Sequence, residues 1–212
     1  MTKYFLLLLF VFCSSSYLSA QIKTTTPDLN NLPSGIKYEG NIKNAVQWTD
    51  DIGNNIVITS ETGETVSKGT PDNSYRDAAL YGYHFIVVSG NAKQTWKVYD
   101  FIKACPVDIE AKFIKNTLQV TDLNNDGIGE IWLMYKTVCH GDVSPCDMKI
   151  IMYEGSQKFA MRGRNMVKVS DKDFEGGEYK FDKPFNEGPS EFREFAQSLW
   201  KQNILQTWGD DQ

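Results

Sequence analysis

The residues whose types and spacing are best suited to chemistry form one short run, residues 122–130, which reads Asp-Leu-Asn-Asn-Asp-Gly-Ile-Gly-Glu. Calcium is a hard cation that takes about 6–8 oxygen ligands at roughly 2.3–2.6 Å. A loop with oxygen atoms at alternate positions and a glycine at its bend can surround such an ion. The sequence therefore predicts a structural Ca²⁺ site with these ligands: Asp122, Asn124, Asp126, the backbone carbonyl group of Ile128, and Glu130.

The run differs from an EF-hand loop in two respects. An EF-hand loop needs a glutamate at position twelve, and that position is Leu133 here. The flanking residues 118–121 and 131–135 are β-forming rather than helical. A nine-residue acidic loop between two strands resembles instead the calcium loops of FG-GAP and VCBS-type repeats, and this resemblance implies the same ligands. The alternative is a polar turn in which Asn-Asp-Gly only allows a tight bend.

The first twenty residues have the pattern of a secretory signal peptide. Lys3 precedes an apolar run over residues 4–12, and a Ser-Ala pair provides a cleavage site before Gln21. The apolar run is much shorter than the roughly 20 residues that cross a bilayer. Cys13 raises a lipoprotein as the alternative, although Phe12 stands where a small residue is expected. We therefore expect an exported protein without a membrane span, either periplasmic or secreted to the cell surface.

The domain organisation follows from the alternation of β-forming runs and turn signals. Residues 21–35 are rich in Thr, Asn and Pro and are expected to form a flexible tether. From residue 36 to residue 212, about ten short β-type runs alternate with turns. This predicts a single, mainly β domain with antiparallel sheets in a sandwich- or barrel-like arrangement. Residues 131–138 are expected to pair with residues 149–153, and residues 178–181 to form a late edge strand.

One amphipathic helix is expected at the C-terminus, over residues 190–206. Pro189 ends the preceding segment, Ser190 is a suitable N-cap, and Glu191 lies near the positive end of the helix dipole. Apolar residues then recur at helical spacing: Phe192, Phe195, Ala196 and Leu199. The pattern predicts an aromatic face that packs against the sheet, and not a ligand site.

Three cysteines follow the apolar leader, Cys105, Cys139 and Cys146. Export to an oxidising compartment predicts at least one disulfide, and the odd number leaves one thiol. A Cys139–Cys146 bond would close a short loop, whereas a Cys105–Cys139 bond would constrain more of the unfolded chain. The sequence predicts that Cys139 is oxidised and leaves its partner open. A zinc site formed by Cys139, His140 and Cys146 would need more ligands and is not expected.

Charge and composition exclude some partners. The formal net charge is −5, and the sequence contains no basic cluster. The chain is therefore poorly suited to bind nucleic acid or an anionic membrane surface. Aromatic residues make up 13% of the chain, which suits a β-rich domain and a surface that faces sugars.

Candidates for catalysis are few. His84 lies in a strand-like run and is predicted to be structural. His140, Asp142 and Ser144 lie within five residues of one another, and so short a segment rarely aligns a catalytic triad. A pair of catalytic carboxylates of the glycosidase type remains an alternative, because the chain has 27 acidic residues and no motif identifies such a pair. The sequence contains no Walker loop, no dinucleotide-binding fingerprint and no His-Glu-x-x-His motif.

A longer resemblance includes the acidic run. Residues 120–145 and 148–155 resemble a family of small exported proteins from flavobacteria and their relatives, whose members are often labelled surface polysaccharide biosynthesis proteins. A weaker likeness, over residues 122–127, is to calcium-binding periplasmic proteins with a lysozyme-inhibitor-like β fold. The first resemblance implies a process at the cell surface and gives no catalytic residues to transfer.

The residues and the resemblance together lead to one main expectation. We expect an exported, calcium-stabilised, non-enzymatic β domain that acts at the cell envelope, with a surface glycan or an envelope protein as its partner. The alternative is an enzyme of envelope polysaccharide assembly whose carboxylate site is not recognisable in the sequence. A further alternative is a lysozyme-inhibitor-like periplasmic protein.

Overall fold

The structure, a computed structural model, describes residues 22–67 and 75–206. The predicted signal peptide, residues 1–20, lies outside the described residues. In the part that the structure describes, the protein is mainly β with antiparallel sheets, as the sequence predicts.

The described residues form thirteen strands and two helices. In chain order the strands are β1 (Asn41–Asp50), β2 (Gly53–Glu61), β3 (Thr65–Val66), β4 (Arg76–Val88), β5 (Asn91–Cys105), β6 (Ile109–Phe113), β7 (Gln119–Thr121), β8 (Glu130–Cys139), β9 (Asp147–Glu154), β10 (Gln157–Arg164), β11 (Met166–Lys168), β12 (Phe174–Gly176) and β13 (Tyr179–Phe181). The helices are α1 (Lys183–Glu187) and α2 (Ser190–Asn203).

Two sheets make up most of the domain. The first has the order β1-β2-β4, with β3 and β5 also pairing with β4. The second has the order β13-β10-β9-β8-β6, with β7 also pairing with β8. The predicted pairing of residues 131–138 with 149–153 is confirmed, because β8 and β9 are antiparallel neighbours with Leu133 opposite Ile151. The predicted late edge strand is confirmed as β13, at one edge of the second sheet.

The central core lies between the two sheets. Val57 and Leu80 of the first sheet belong to the same buried cluster as Leu133 and Ile151 of the second. Successive side chains of a strand point to opposite faces of the sheet. Strand β8 is apolar at consecutive positions because both of its faces are covered. Leu133 points toward the first sheet, and Trp132 on the opposite face packs against the helices.

Helix α2 covers the outer face of the second sheet. The residues of its predicted stripe take part in that packing: Phe192, Ala196 and Leu199 are buried, and Phe195 is partly buried. The interaction of this stripe with the sheet is therefore confirmed.

The ends of α2 differ from the prediction. The helix ends at Asn203 instead of residue 206, because the following residues extend along Met166: Met166 N–H donates to the Ile204 carbonyl (2.7 Å) and Gln206 N–H to the Met166 carbonyl (2.8 Å). The N-cap is Pro189, and the Ser190 side chain makes no capping hydrogen bond.

The sequence patterns do not predict the short helix α1. The Asp182 carboxylate caps it by accepting a hydrogen bond from Phe185 N–H (3.1 Å). Phe185 is fully buried in the cluster between the second sheet and α2. The helix thus adds an aromatic anchor beside the predicted stripe.

Residues 22–35, predicted to be a flexible tether, contain no regular element but are attached to the first sheet. Thr25 exchanges backbone hydrogen bonds with Gln47 of β1 (2.9 and 2.8 Å). Farther along, Ala92 N–H donates to the Ser34 carbonyl (2.7 Å). Leu32 packs against the outer face of the first sheet. The segment therefore covers part of that face instead of projecting from the domain.

A disulfide joins the ends of the two sheets. It links Cys105 at the end of β5 to Cys139 at the end of β8, with Cα atoms 5.8 Å apart. Cys146 is a buried free thiol. The prediction that Cys139 is oxidised is confirmed, and the structure identifies Cys105 as its partner.

Candidate functional site

The acidic run forms the connection between β7 and β8, two antiparallel strands in direct contact. Gly127 has a φ of +82° and Asn125 a φ of +57°, a left-handed conformation that suits these two residue types. Asp122 is nearly buried and holds the bend from inside. Its carboxylate accepts hydrogen bonds from Asp126 N–H (3.1 Å) and Gly127 N–H (3.2 Å). The bend is thus shaped by the first residue of the predicted ligand set.

Glu130, the last predicted ligand, is completely buried. Its carboxylate accepts hydrogen bonds from the Thr121 hydroxyl (2.6 Å) and from Leu123 N–H (2.9 and 3.0 Å). Thr121 in turn accepts a hydrogen bond from the Trp132 indole N–H (2.8 Å). Burial raises the pKa of Glu130, an effect that these hydrogen bonds partly oppose. Glu130 therefore fastens the entry of the loop to the start of β8.

A glutamate outside the predicted set joins the loop. Glu154, at the end of β9, lies directly opposite Glu130 in the β8–β9 register. The Asn124 amide donates to Glu154 Oε1 (2.7 Å) and to Asp126 Oδ2 (3.1 Å), so it bridges two carboxylates. Burial and the nearby charges of Asp126 and Asp122 raise the pKa of Glu154. The negative charges of Asp122 and Asp126 thus act on the carboxyl group of Glu154, which comes from a separate part of the chain.

The β1–β2 turn supplies two more carboxylates. Asp50 Oδ2 accepts a hydrogen bond from Gly129 N–H (3.0 Å), and Asp51 N–H donates to the Gly127 carbonyl (2.9 Å). A Cβ atom placed on Gly127 would lie 2.3 Å from Asp51 Oδ2. Glycine is favoured here by its left-handed backbone conformation, and a larger residue would also displace the Asp51 carboxylate.

The side chains at this site suit calcium in type. Carboxylate, amide and carbonyl oxygens are the groups that Ca²⁺ prefers, and the structure places Asp122, Asn124 and Asp126 in one turn. Among residues 22–67 and 75–206, no group of three or more histidine, cysteine, aspartate or glutamate side chains is arranged so that it could hold a metal ion. The neutral oxygens of Asn124 and Ile128 would therefore have to contribute to the binding of an ion.

His84 is a buried structural residue, as the sequence predicts. Its ring nitrogens contact the Thr95 hydroxyl (2.6 Å) and Asn55 Oδ1 (3.0 Å), and the ring stacks between Trp48 and Trp96. Burial lowers the pKa of His84 to about 4, although the Asp50 charge partly opposes the shift. The imidazole is therefore neutral in the folded protein at neutral pH.

Acidification should destabilise the fold through His84. Its pKa lies below the ordinary 6.5, so its contribution to stability is complete above pH 6.5. The contribution decreases as the pH falls from 6.5 to about 4, because in this range the unfolded chain binds the proton more strongly than the folded chain does. Between about pH 8 and about pH 5 this loss should reach about 2 kcal/mol. Urea unfolding of the native protein and of His84→Gln at both pH values measures it. An equal change in both proteins would contradict the assignment.

The loop that carries His140 does not form a Ser-His-Asp triad. His140 Nδ1 lies 2.9 Å from the Asp142 carbonyl oxygen and 3.2 Å from its carboxylate, while Nε2 faces the Cys146 sulfur at 3.9 Å. The Asp142 carboxylate also accepts a hydrogen bond from Ser144 N–H (2.9 Å). Burial raises the pKa of the Cys146 thiol, which opposes formation of a nucleophilic thiolate.

Aromatic residues form a ladder on the outer face of the first sheet. The rings of Tyr81 and Tyr99 stack with centroids 5.1 Å apart, and those of Tyr99 and Phe101 with centroids 4.9 Å apart. Lys97 Nζ lies 4.8 Å from the Tyr81 centroid. Because the rings face one another, they do not provide the open, flat platform on which a sugar would stack.

The fold and the acidic loop define a class of protein: a disulfide-linked domain of two antiparallel sheets, covered by a helical layer, with a cluster of carboxylates at the β7–β8 connection. No protein-family model, no curated protein and no solved structure matches this chain. No helix among the described residues is long and apolar enough to cross a membrane.

Proposed function

We propose that this protein is an exported, non-enzymatic β domain that is stabilised by one Ca²⁺ ion at residues 122–130 and that acts at the cell envelope on a surface glycan. The signal-peptide pattern supports export, and the disulfide suits an oxidising compartment. The resemblance of residues 120–145 and 148–155 to surface polysaccharide biosynthesis proteins supports a role in that process at the cell envelope. The carboxylates of Asp50, Asp122, Asp126 and Glu130 accept hydrogen bonds from backbone N–H groups of the loop, which supports a structural role for them over a catalytic one.

One observation carries the calcium proposal: the Asn124 amide bridges the carboxylates of Asp126 in the loop (3.1 Å) and of Glu154 at the end of β9 (2.7 Å). Asp122 and Asp126 come from the loop and Glu154 from β9, and the raised pKa of Glu154 has the neighbouring negative charges among its causes. A bound divalent cation would relieve this repulsion. Because the site requires the folded arrangement of two strands, the ion would bind the folded protein in preference to the unfolded chain. Its binding would then stabilise the fold by mass action.

Calcium should raise the melting temperature of the mature protein. At a free concentration 100 times the dissociation constant, the gain is about 2.7 kcal/mol, or roughly 5–10 °C for a domain of this size. Asp126→Asn keeps an acceptor for Ile128 N–H (2.9 Å) but removes one charge. This variant should lose most of the calcium effect, while its metal-free form should be at least as stable as the metal-free native protein. Thermal melts with calcium and with chelator, together with calorimetric titration, measure both quantities.

The matched control is Asn125→Gly. Asn125 lies between the predicted ligands and has a φ of +57°, which glycine adopts without strain but alanine does not. This variant should retain the calcium effect. If protein shown to be metal-free melts at the same temperature with and without calcium, the loop is only a turn and the proposal fails.

A further inference from the structure

A row of positive charges crosses the second sheet. Lys149 of β9 lies directly opposite Arg162 of β10, and Arg162 lies directly opposite Lys180 of β13. Directly opposite residues of antiparallel strands have their side chains on the same face, and neighbouring strands are about 4.8 Å apart. This face is turned toward the first sheet, because Ala160, two residues before Arg162, belongs to the core between the sheets. The strand pairing thus brings together three cations that are distant in sequence.

Two cations of this row have no counter-ion in the part of the chain that the structure describes. Lys149 Nζ pairs with the Asp100 carboxylate of β5 (2.5 Å). Arg162 and Lys180 are exposed, and their side chains form no ion pair and no hydrogen bond with the described residues. Like charges on directly opposite residues destabilise a sheet. The row is therefore unfavourable in the free protein, and an anion bound across it would relieve the repulsion.

Lys158 extends this positive surface. It precedes Arg162 by four residues on β10, so the two side chains are on the same face. Partial burial lowers the pKa of Lys158, and the charge of Arg162 lowers it further, although the charges of Asp182 and Asp100 partly oppose the shift. Lys158 forms no ion pair among residues 22–67 and 75–206. Three cations without an ion pair thus share one face: Lys158, Arg162 and Lys180.

Carboxylates lie on both sides of the row. On one side, Asp147 lies opposite Arg164, which pairs with Glu178. On the other side, Asp182 follows β13, and its carboxylate caps α1. Nucleic acid carries a phosphate on every nucleotide, so these carboxylates would repel it. A polysaccharide with a carboxylate on only some of its sugars can place its acid groups at the cations and its hydroxyl groups at the carboxylates, which accept hydrogen bonds.

We propose that this face of β9, β10 and β13 binds an acidic polysaccharide, whose uronate carboxylates pair with Arg162, Lys180 and Lys158. The inference rests on the proposed function, because it gives the glycan partner its chemistry and its place on the domain. Arginine can hold a carboxylate through two parallel N–H···O hydrogen bonds, and Arg162 lies at the centre of the row. The surface shares no residue with the acidic loop at 122–130.

Calorimetric titration of the mature protein with a hyaluronan octasaccharide, in which glucuronate alternates with N-acetylglucosamine, tests the proposal. The matched probe is the same octasaccharide with its carboxylates reduced to alcohols, and single-stranded DNA and phosphatidylserine vesicles represent other anions. The acidic octasaccharide should bind with a Kd on the order of 0.1 mM or tighter, and at least tenfold more tightly than the reduced one or the DNA. The vesicles should not bind. Because exposed charges are screened by salt, the affinity should fall as the ionic strength rises from about 0.05 M to about 0.5 M.

Two double variants that remove the same amount of charge locate the binding surface. Arg162→Gln with Lys180→Gln removes two exposed cations that form no ion pair with the described residues, so the free protein should melt no lower than the native protein. This variant should bind the acidic octasaccharide at least tenfold more weakly. Lys37→Gln with Lys201→Gln removes two exposed lysines elsewhere, in the N-terminal segment and on α2, and should leave the affinity unchanged.

Three results would overturn the inference: equal weakening by the two double variants, no binding of the acidic octasaccharide, or binding of the DNA or the vesicles as tight as that of the octasaccharide. Equal affinity for the acidic and the reduced octasaccharide would also overturn it, while a neutral glycan would stay possible as the partner in the proposed function. Each titration is run in calcium and in chelator. A calcium effect on the melting temperature without glycan binding would leave the calcium site in place and remove only this inference.

Discussion

The double variant Cys105→Ser, Cys139→Ser should have a free energy of unfolding about 4 kcal/mol lower than that of the native protein. The bond joins residues 34 positions apart, so it removes a large amount of conformational freedom from the unfolded chain. It also connects the end of β5 in the first sheet to the end of β8 in the second. Urea unfolding measures the change, and the melting temperature should fall by roughly 10 °C.

The control for this prediction is Cys146→Ala. Cys146 is a free, buried thiol, so its replacement removes one sulfur atom and no cross-link. We expect it to cost about 1 kcal/mol. Peptide mapping under non-reducing conditions should recover a Cys105–Cys139 peptide. A free thiol at Cys139, or a Cys146→Ala variant as unstable as the double variant, would contradict the assignment.

The parts of the fold that could be predicted are those with local, periodic patterns. The apolar runs at residues 131–138 and 149–153 identify β8 and β9, and the spacing of Phe192 and Leu199 identifies α2. These signals are strong because each pattern reports which side chains must be buried. The end of α2 could not be predicted, because it depends on the pairing of residues 204–206 with Met166, a contact distant in sequence.

The candidate site also combines residues that a local pattern identifies with residues that only distant contacts bring together. The loop residues could be selected from their spacing, but Glu154 could not, although it lies opposite Glu130. A predicted pairing of two strands does not fix its register, and a shift of one residue would place Glu154 on the other face. The contacts of Asp50 and Asp51 depend on how the first sheet packs on the second. Helix α1 depends on one cap and on a single buried aromatic residue, Phe185, which is too little periodicity to detect.

Glu130→Ala should lower the free energy of unfolding by about 3 kcal/mol even in the presence of excess chelator. Glu130 is completely buried, and its carboxylate accepts hydrogen bonds from the Thr121 hydroxyl and Leu123 N–H. Without it, both donors are left inside the protein without their partner, at about 1–3 kcal/mol each. Denaturant unfolding of metal-free protein measures the loss.

Glu154→Ala is the matched control, because it removes the carboxylate on the opposite strand. Glu154 is only partly buried, and its raised pKa has the charges of Asp126 and Asp122 among its causes, so its removal relieves repulsion. In chelator this variant should change stability by less than about 1 kcal/mol. The contrary result is a Glu130→Ala variant that changes stability in chelator as little as Glu154→Ala does, and that is less stable than the native protein only in calcium. That result would show that Glu130 acts only as a calcium ligand. We expect the larger loss in chelator for Glu130→Ala, because the hydrogen bonds of Glu130 hold residues 121–123 against β8 whether or not an ion is bound.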